Sequence, residues 1–228
     1  MNILIIGATS GIGKALYTHY IETGNKVAIM GRRKEILEEL SLSNPSATIP
    51  LPCDISNHNS FDNAFEKAVS SLNYIDIAIV CAGIGELNPS LHFELEEETI
   101  STKVVGWTNV MDKLYHLMEH QGKGQIVSIT SIGGLQPTPV APSYSASKAY
   151  QINYTKSLQA KSKKTPILIT EIRPGLVDTR MAKGEGLFWV MPVEKVSKQI
   201  ISAINKKKKL HIVTNRWKIL NWIVKHFM

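Results

Sequence analysis

The 228-residue sequence predicts an α/β protein, a doubly wound parallel sheet of about seven strands in three α/β/α layers. Three observations carry that prediction. Short, almost continuously apolar runs, such as residues 3–6 and 75–81, suit strands covered on both faces. Longer amphipathic segments alternate with them along the chain, which calls for right-handed crossovers between parallel strands. A glycine-rich turn from Gly7 to Gly13 joins the first strand directly to the first helix.

Composition bounds the rest. A hydrophobic content of 43% with 20% charged residues is that of an ordinary globular chain, read as one domain over residues 1–228. The formal charge of +7 suits an anionic ligand without choosing among them. Cys53 and Cys81 form no C-x-x-C and no Cys/His cluster, so neither a disulfide framework nor a metal site is expected. No apolar stretch reaches the roughly 18 residues of a membrane span, and no signal-peptide core precedes the first strand, so a cytoplasmic location is expected.

Taken in order, the opening NILIIGATSGIGKAL reads as strand, glycine turn and a helix to about Thr23. Gly7, Ser10, Gly11, Ile12 and Gly13 form the turn. Its glycines let the backbone approach a pyrophosphate, and the helix N-terminus behind them offers free N–H groups. A second strand, residues 26–30, ends without the acidic residue that would bind a ribose 2′-hydroxyl. Arg32 and Arg33 stand there instead, and their guanidinium groups suit a 2′-phosphate, which favours NADP(H) over NAD(H).

The third strand, residues 47–53, carries two prolines and leads to Asp54 and Ile55. Asp54 either holds an adenine edge or caps a helix from about Ser56 to Leu72. The run 75–81 then ends at Ala82 and Gly83, a small-residue turn against the cofactor. A long helix is expected over 95–120 with Gly106 inside it, and a fifth strand over 125–130 delivers Ser131 to its carboxyl end. Beyond a loop with Pro137, Pro139 and Pro142, Tyr144 opens a helix to about Lys163. Tyr144 and Lys148 share a face of that helix, so an ammonium lies close to a phenol and favours its ionised form.

A sixth strand, residues 166–172, runs into RPGLVDT, where Pro174 and Gly175 turn sharply and Thr179 offers a hydroxyl near the crevice. Residues 180–192, apolar between glycines, read as a mobile substrate lid. A helix over 193–205 and a strand over 210–214 come next. Residues 206–228 form a basic, tryptophan-bearing extension. Docking on its own domain or a second subunit is the favoured reading, and peripheral membrane contact the lesser one.

Together these motifs resemble the short-chain dehydrogenases/reductases, which have the Rossmann fold. The resemblance rests on the G-x-x-x-G-x-G turn, Asp54-Ile55, Ala82-Gly83, Ser131, Tyr144 with Lys148, and Pro174-Gly175-x-Val177-x-Thr179, in that order along the chain. It implies a homodimer or homotetramer acting on a carbonyl or alcohol of a moderately apolar small molecule, with no nucleic acid partner. Tyr144 is then the proton donor. Lys148 lowers its pKa and binds the nicotinamide ribose, Ser131 orients the substrate oxygen, and Pro174 to Thr179 line the nicotinamide end.

Two positions depart from the family pattern. Cys81 replaces an asparagine before the Ala-Gly turn, and Lys103 stands where the catalytic asparagine belongs, three residues before Gly106. Either Lys103 points to solvent or the proton relay is altered. The alternative of a nucleotide-binding regulatory protein with impaired chemistry arises from these departures.

Overall fold

The computed structural model describes residues 1–179, 189–214 and 217. Its strands are β1 (Asn2–Ile6), β2 (Lys26–Gly31), β3 (Thr48–Pro52), β4 (Ile77–Val80), β5 (Gly124–Ile129), β6 (Ile167–Pro174) and β7 (Leu210–Val213). All pair in parallel, in the order β3-β2-β1-β4-β5-β6-β7. The helices are α1 (Gly11–Glu22), α2 (Lys34–Leu42), α3 (His58–Leu72), α4 (Phe93–Ile100), α5 (Trp107–Gln121), α6 (Pro142–Lys161) and α7 (Val193–Asn205).

Strand side chains alternate between two cores. Ile3 and Ile5 of β1 pack with Leu16, Leu37 and Val196 of α1, α2 and α7. Leu4 and Ile6 pack on the other face with Phe61 of α3, Trp107 of α5 and Leu158 of α6. The doubly wound sheet is therefore as the sequence predicts, and the strand order reverses beside β1, where β4 rather than β2 continues the sheet. A crevice at the carboxyl ends of β1 and β4 is the consequence.

Local chemistry explains the element bounds. Pro50 and Pro52 are tolerated in β3 because it is an edge strand. α6 begins at Pro142, two residues earlier than expected, since proline suits the first helical turn.

One expectation changes. The helix over 95–120 is not uniform: between α4 and α5 the chain widens into a π-helical turn, Ser101–Gly106. Gly106 lies there so close to the Ile55 carbonyl that a Cβ would overlap it. The strand expected over 210–214 is present as β7. Lys206 to Lys209 lie between α7 and β7, and β7 then joins the sheet. Its four residues, about 13 Å of extended chain, hold Lys209 apart from Thr214. Residues 215–216 and 218–228 lie outside the described residues, as do residues 180–188 of the expected lid. Trp217 is described, 3% exposed, and sits against Gly175 and edge-on to Trp189.

Candidate active site

The crevice has two walls, of which the first is the β1–α1 turn. Gly7 has φ +96°, and a Cβ there would come within 2.5 Å of the Ala82 amide nitrogen. A Cβ on Gly13 would overlap the Gly7 carbonyl, so strand and helix meet closely only with both glycines. Ser10 precedes α1 without supplying a side-chain cap, which leaves the helix N-terminus to a ligand. Arg33 folds back onto this turn, donating from Nη2 to Thr9 Oγ1 at 2.6 Å and to Ser10 Oγ at 2.8 Å. Arg32 instead pairs with Glu98 at 3.5 Å on the surface. The Thr179 methyl lies 3.1 Å from where a Gly11 Cβ would be, closing the turn from the β6 side.

Asp54 accepts from both the amide and the hydroxyl of Ser56, at 2.9 and 2.7 Å on Oδ1. It shapes the turn before α3, whose N-cap is Asn57. Neighbouring Ile55 serves the crevice through its main chain, under Gly106.

The second wall is the candidate reaction centre. Ser131, at the end of β5, hydrogen-bonds Tyr144 of α6, and Gly133 leaves the room in which they meet. Gly134 packs against the α6 backbone at Lys148, where a Cβ would sit 2.5 Å from the Lys148 carbonyl carbon. Lys148 Nζ donates to the Ile129 carbonyl at 3.0 Å and to Gln151 Oε1 at 2.8 Å.

Burial lifts the Tyr144 phenol above its ordinary value, and the Ser131 hydrogen bond draws it back down. In place of the phenol, the Lys148 ammonium takes the Ile129 carbonyl and Gln151 as its acceptors. Burial brings Lys148 itself down to about 8, against the opposing charges of Cys81 and Glu171.

The family model described as short chain dehydrogenase matches residues 1–187. The chain belongs to that family. An uncharacterized oxidoreductase of Staphylococcus aureus is 32% identical over 180 residues, covering 77% of this chain and 78% of the relative. One from Staphylococcus epidermidis is 26% identical over 185 residues, with 79% and 80% covered. Among solved structures, a short-chain dehydrogenase from Sphingobium yanoikuyae in complex with NADPH superposes with TM-score 0.84 at 22% identity, covering 98% of this chain and 93% of its own. The closed form of a serine dehydrogenase complexed with NADP+ gives 0.83 at 25% identity, with 90% and 89% covered. The chain is thus an oxidoreductase of the short-chain dehydrogenase family.

Within this short-chain dehydrogenase, Lys103 does not take the first of its two alternatives, a solvent-pointing side chain. It is 1% exposed, with Nζ beside Gly83 and 4.8 Å from the centroid of the Tyr144 ring. Burial and the Lys148 charge push its pKa well down. Cys81 behaves as expected of a small hydrophobe, its thiol pushed up to about 12 by burial.

Sequence reasoning missed Gln151 and Glu171. Glu171 Oε1 accepts from Thr130 at 2.8 Å and from Arg173 at 2.8 and 2.9 Å, all buried. A carboxylate and a guanidinium two residues apart on one face of an otherwise apolar strand were the available signal.

Proposed function

We propose that this chain is an NADP(H)-dependent oxidoreductase that reduces a carbonyl, or oxidises the corresponding alcohol, of a moderately apolar small molecule. The observation that carries this reading is the half-buried, hydrogen-bonded Ser131–Tyr144 hydroxyl pair, with the buried Lys148 one helical turn on, opposite the glycine turn.

The residues fit a dinucleotide. Gly7 and Gly13 keep the turn open to a backbone approach, and the α1 N-terminus and Arg33 present positive ends to phosphates. Ser10, Gly11, Ile12, Arg32, Arg33, Asp54, Ile55, Ala82, Gly83, Tyr144, Lys148, Pro174, Gly175, Val177 and Thr179 complete the proposed cofactor-binding set. The neighbours solved with NADPH and NADP+ support the choice of cofactor. When bound, the nicotinamide supplies or accepts the hydride. Tyr144 gives its phenolic proton to the carbonyl oxygen, and Ser131 donates a hydrogen bond to the same oxygen. The phenolate left behind is stabilised by the Lys148 ammonium, so the charge matters most after proton transfer.

We read the chain as a single domain acting in the cytoplasm as a homodimer or homotetramer. NADPH oxidation across a panel of aliphatic and aromatic aldehydes and ketones tests the activity. Turnover with at least one of them, faster with NADPH than with NADH, is expected. Tight NADPH binding without turnover of any member would contradict it.

A further inference from the structure

Gln151 is completely buried, and both ends of its carboxamide are engaged. Oε1 accepts from Lys148 Nζ at 2.8 Å, and Nε2 donates to the main-chain carbonyl of Lys103 at 2.9 Å. This orientation is fixed by its neighbours. Turned over, the amide would set N–H against an ammonium and oxygen against a carbonyl. The Lys103 carbonyl belongs to the π-helical turn and, like any carbonyl, has a second lone pair for a side-chain donor.

An ammonium has three N–H donors, and the fold occupies two of Lys148's, on Ile129 and Gln151. Ile129 fixes the position along β5. Gln151 approaches from Lys148's own helix, three residues on, and turns Nζ about its stem. The groups facing Lys148 come from every element around it: Tyr144 on α6, Cys81 at the end of β4, Glu171 on β6 and Lys103 on the π turn. Cys81 carries a proton at neutral pH, and Glu171 is already committed to Thr130 and Arg173. Gln151 is therefore the side-chain acceptor that touches the ammonium without placing a negative charge beside the phenol.

We propose that Gln151 is a positioning residue of the reaction centre: anchored on the Lys103 carbonyl, its carboxamide orients the Lys148 ammonium and keeps it charged. A side chain thereby links Lys148 to the π turn where a solvent-connected relay was expected. The kinetic consequence rests on the reading of Tyr144 and Lys148 as the reduction centre. The titration behaviour does not.

The test is an NMR titration of Lys148 in cofactor-free, substrate-free protein labelled at lysine Cε, for wild type, Gln151→Met and Gln151→Glu. Methionine removes the acceptor and is expected to lower the Lys148 midpoint by about one pH unit, the size of one hydrogen bond to a charged group. Glutamate adds a carboxylate and is expected to raise it. A role in packing alone would move both variants the same way or neither, and that result overturns the proposal. If the variants do not fold, the wild type still decides. The Gln151 side-chain amide resonances are expected to titrate with the Lys148 midpoint, and amide signals indifferent to that transition would overturn the idea. In turnover, the alkaline limb of the kcat profile shifts with each variant's midpoint. Shifted midpoints without any turnover would leave this proposal standing and count against the carbonyl-reductase reading instead.

Discussion

The glycine turn at β1–α1 and the reaction centre on α6 face one crevice but are assembled from different materials. The turn is made of backbone and of space left open. Gly7 rests on Ala82, Gly13 on Gly7, and the groups offered to a ligand are main-chain N–H and the fork of Arg33. The proposed reaction centre is made of side chains that titrate, Lys103 and Lys148 buried and Tyr144 half-buried. Lys103, Tyr144 and Lys148 share one small volume, and the amides and hydroxyls around them decide which carries charge. A backbone cradle tolerates almost no change in shape. A cluster of ionisable groups tolerates substitution but re-tunes.

Substitutions can break that contrast. Gly13→Ala is expected to have the largest effect, because its Cβ would overlap the Gly7 carbonyl. A loss of about 3 kcal/mol or more in urea unfolding is expected, and an unchanged midpoint would show that the turn is looser than described. Next, Arg33→Ala removes the guanidinium from Thr9 and Ser10. NADPH affinity should fall roughly 10- to 100-fold, as for loss of a charge-assisted hydrogen bond. NADH affinity should change much less, and equal losses for both would refute the phosphate role.

On the other wall the effects are smaller and depend on pH. Lys103 has a folded-state pKa below its ordinary 10.5, so the unfolded chain holds the extra proton between the two values. Its burial therefore costs stability most at low pH, and the cost disappears as pH rises toward 10.5. Lys103→Met should accordingly stabilise the protein near pH 6. The gain should shrink steadily as pH rises toward 10.5, as thermal melts across pH would show. A variant less stable at pH 6 would mean that the lysine stem is needed for packing. Lys148, lowered to about 8, sets the mildest expectation. Reductase activity should hold below that pH and decline above it as the ammonium is lost.

The contrast also explains what could be read in advance. Alternating apolar runs and helical segments predict the sheet, because every strand of a doubly covered sheet is buried on both faces. Gly7 and Gly13 were legible from their place between a strand and a helix, and Ser131, Tyr144 and Lys148 from their spacing along the chain. Gln151 and the Lys103 side chain were not. Their partners are 48 residues away for the Gln151 amide, and the Tyr144 ring meets Lys103 only once α6 packs on the π turn. The π turn itself has no periodicity signal that separates it from an ordinary helix over so few residues. Asp54 shows the opposite case, a motif residue whose carboxylate is engaged by its own turn.

The most direct test is to compare wild type with Tyr144→Phe, measuring NADPH oxidation with a carbonyl substrate and NADPH binding by fluorescence titration on the same preparations. Loss of turnover by about 10²- to 10⁴-fold is predicted, the range for a general acid, with NADPH affinity retained. Near-wild-type turnover in a Tyr144→Phe protein that binds NADPH normally would contradict the assignment of this crevice as a reduction centre.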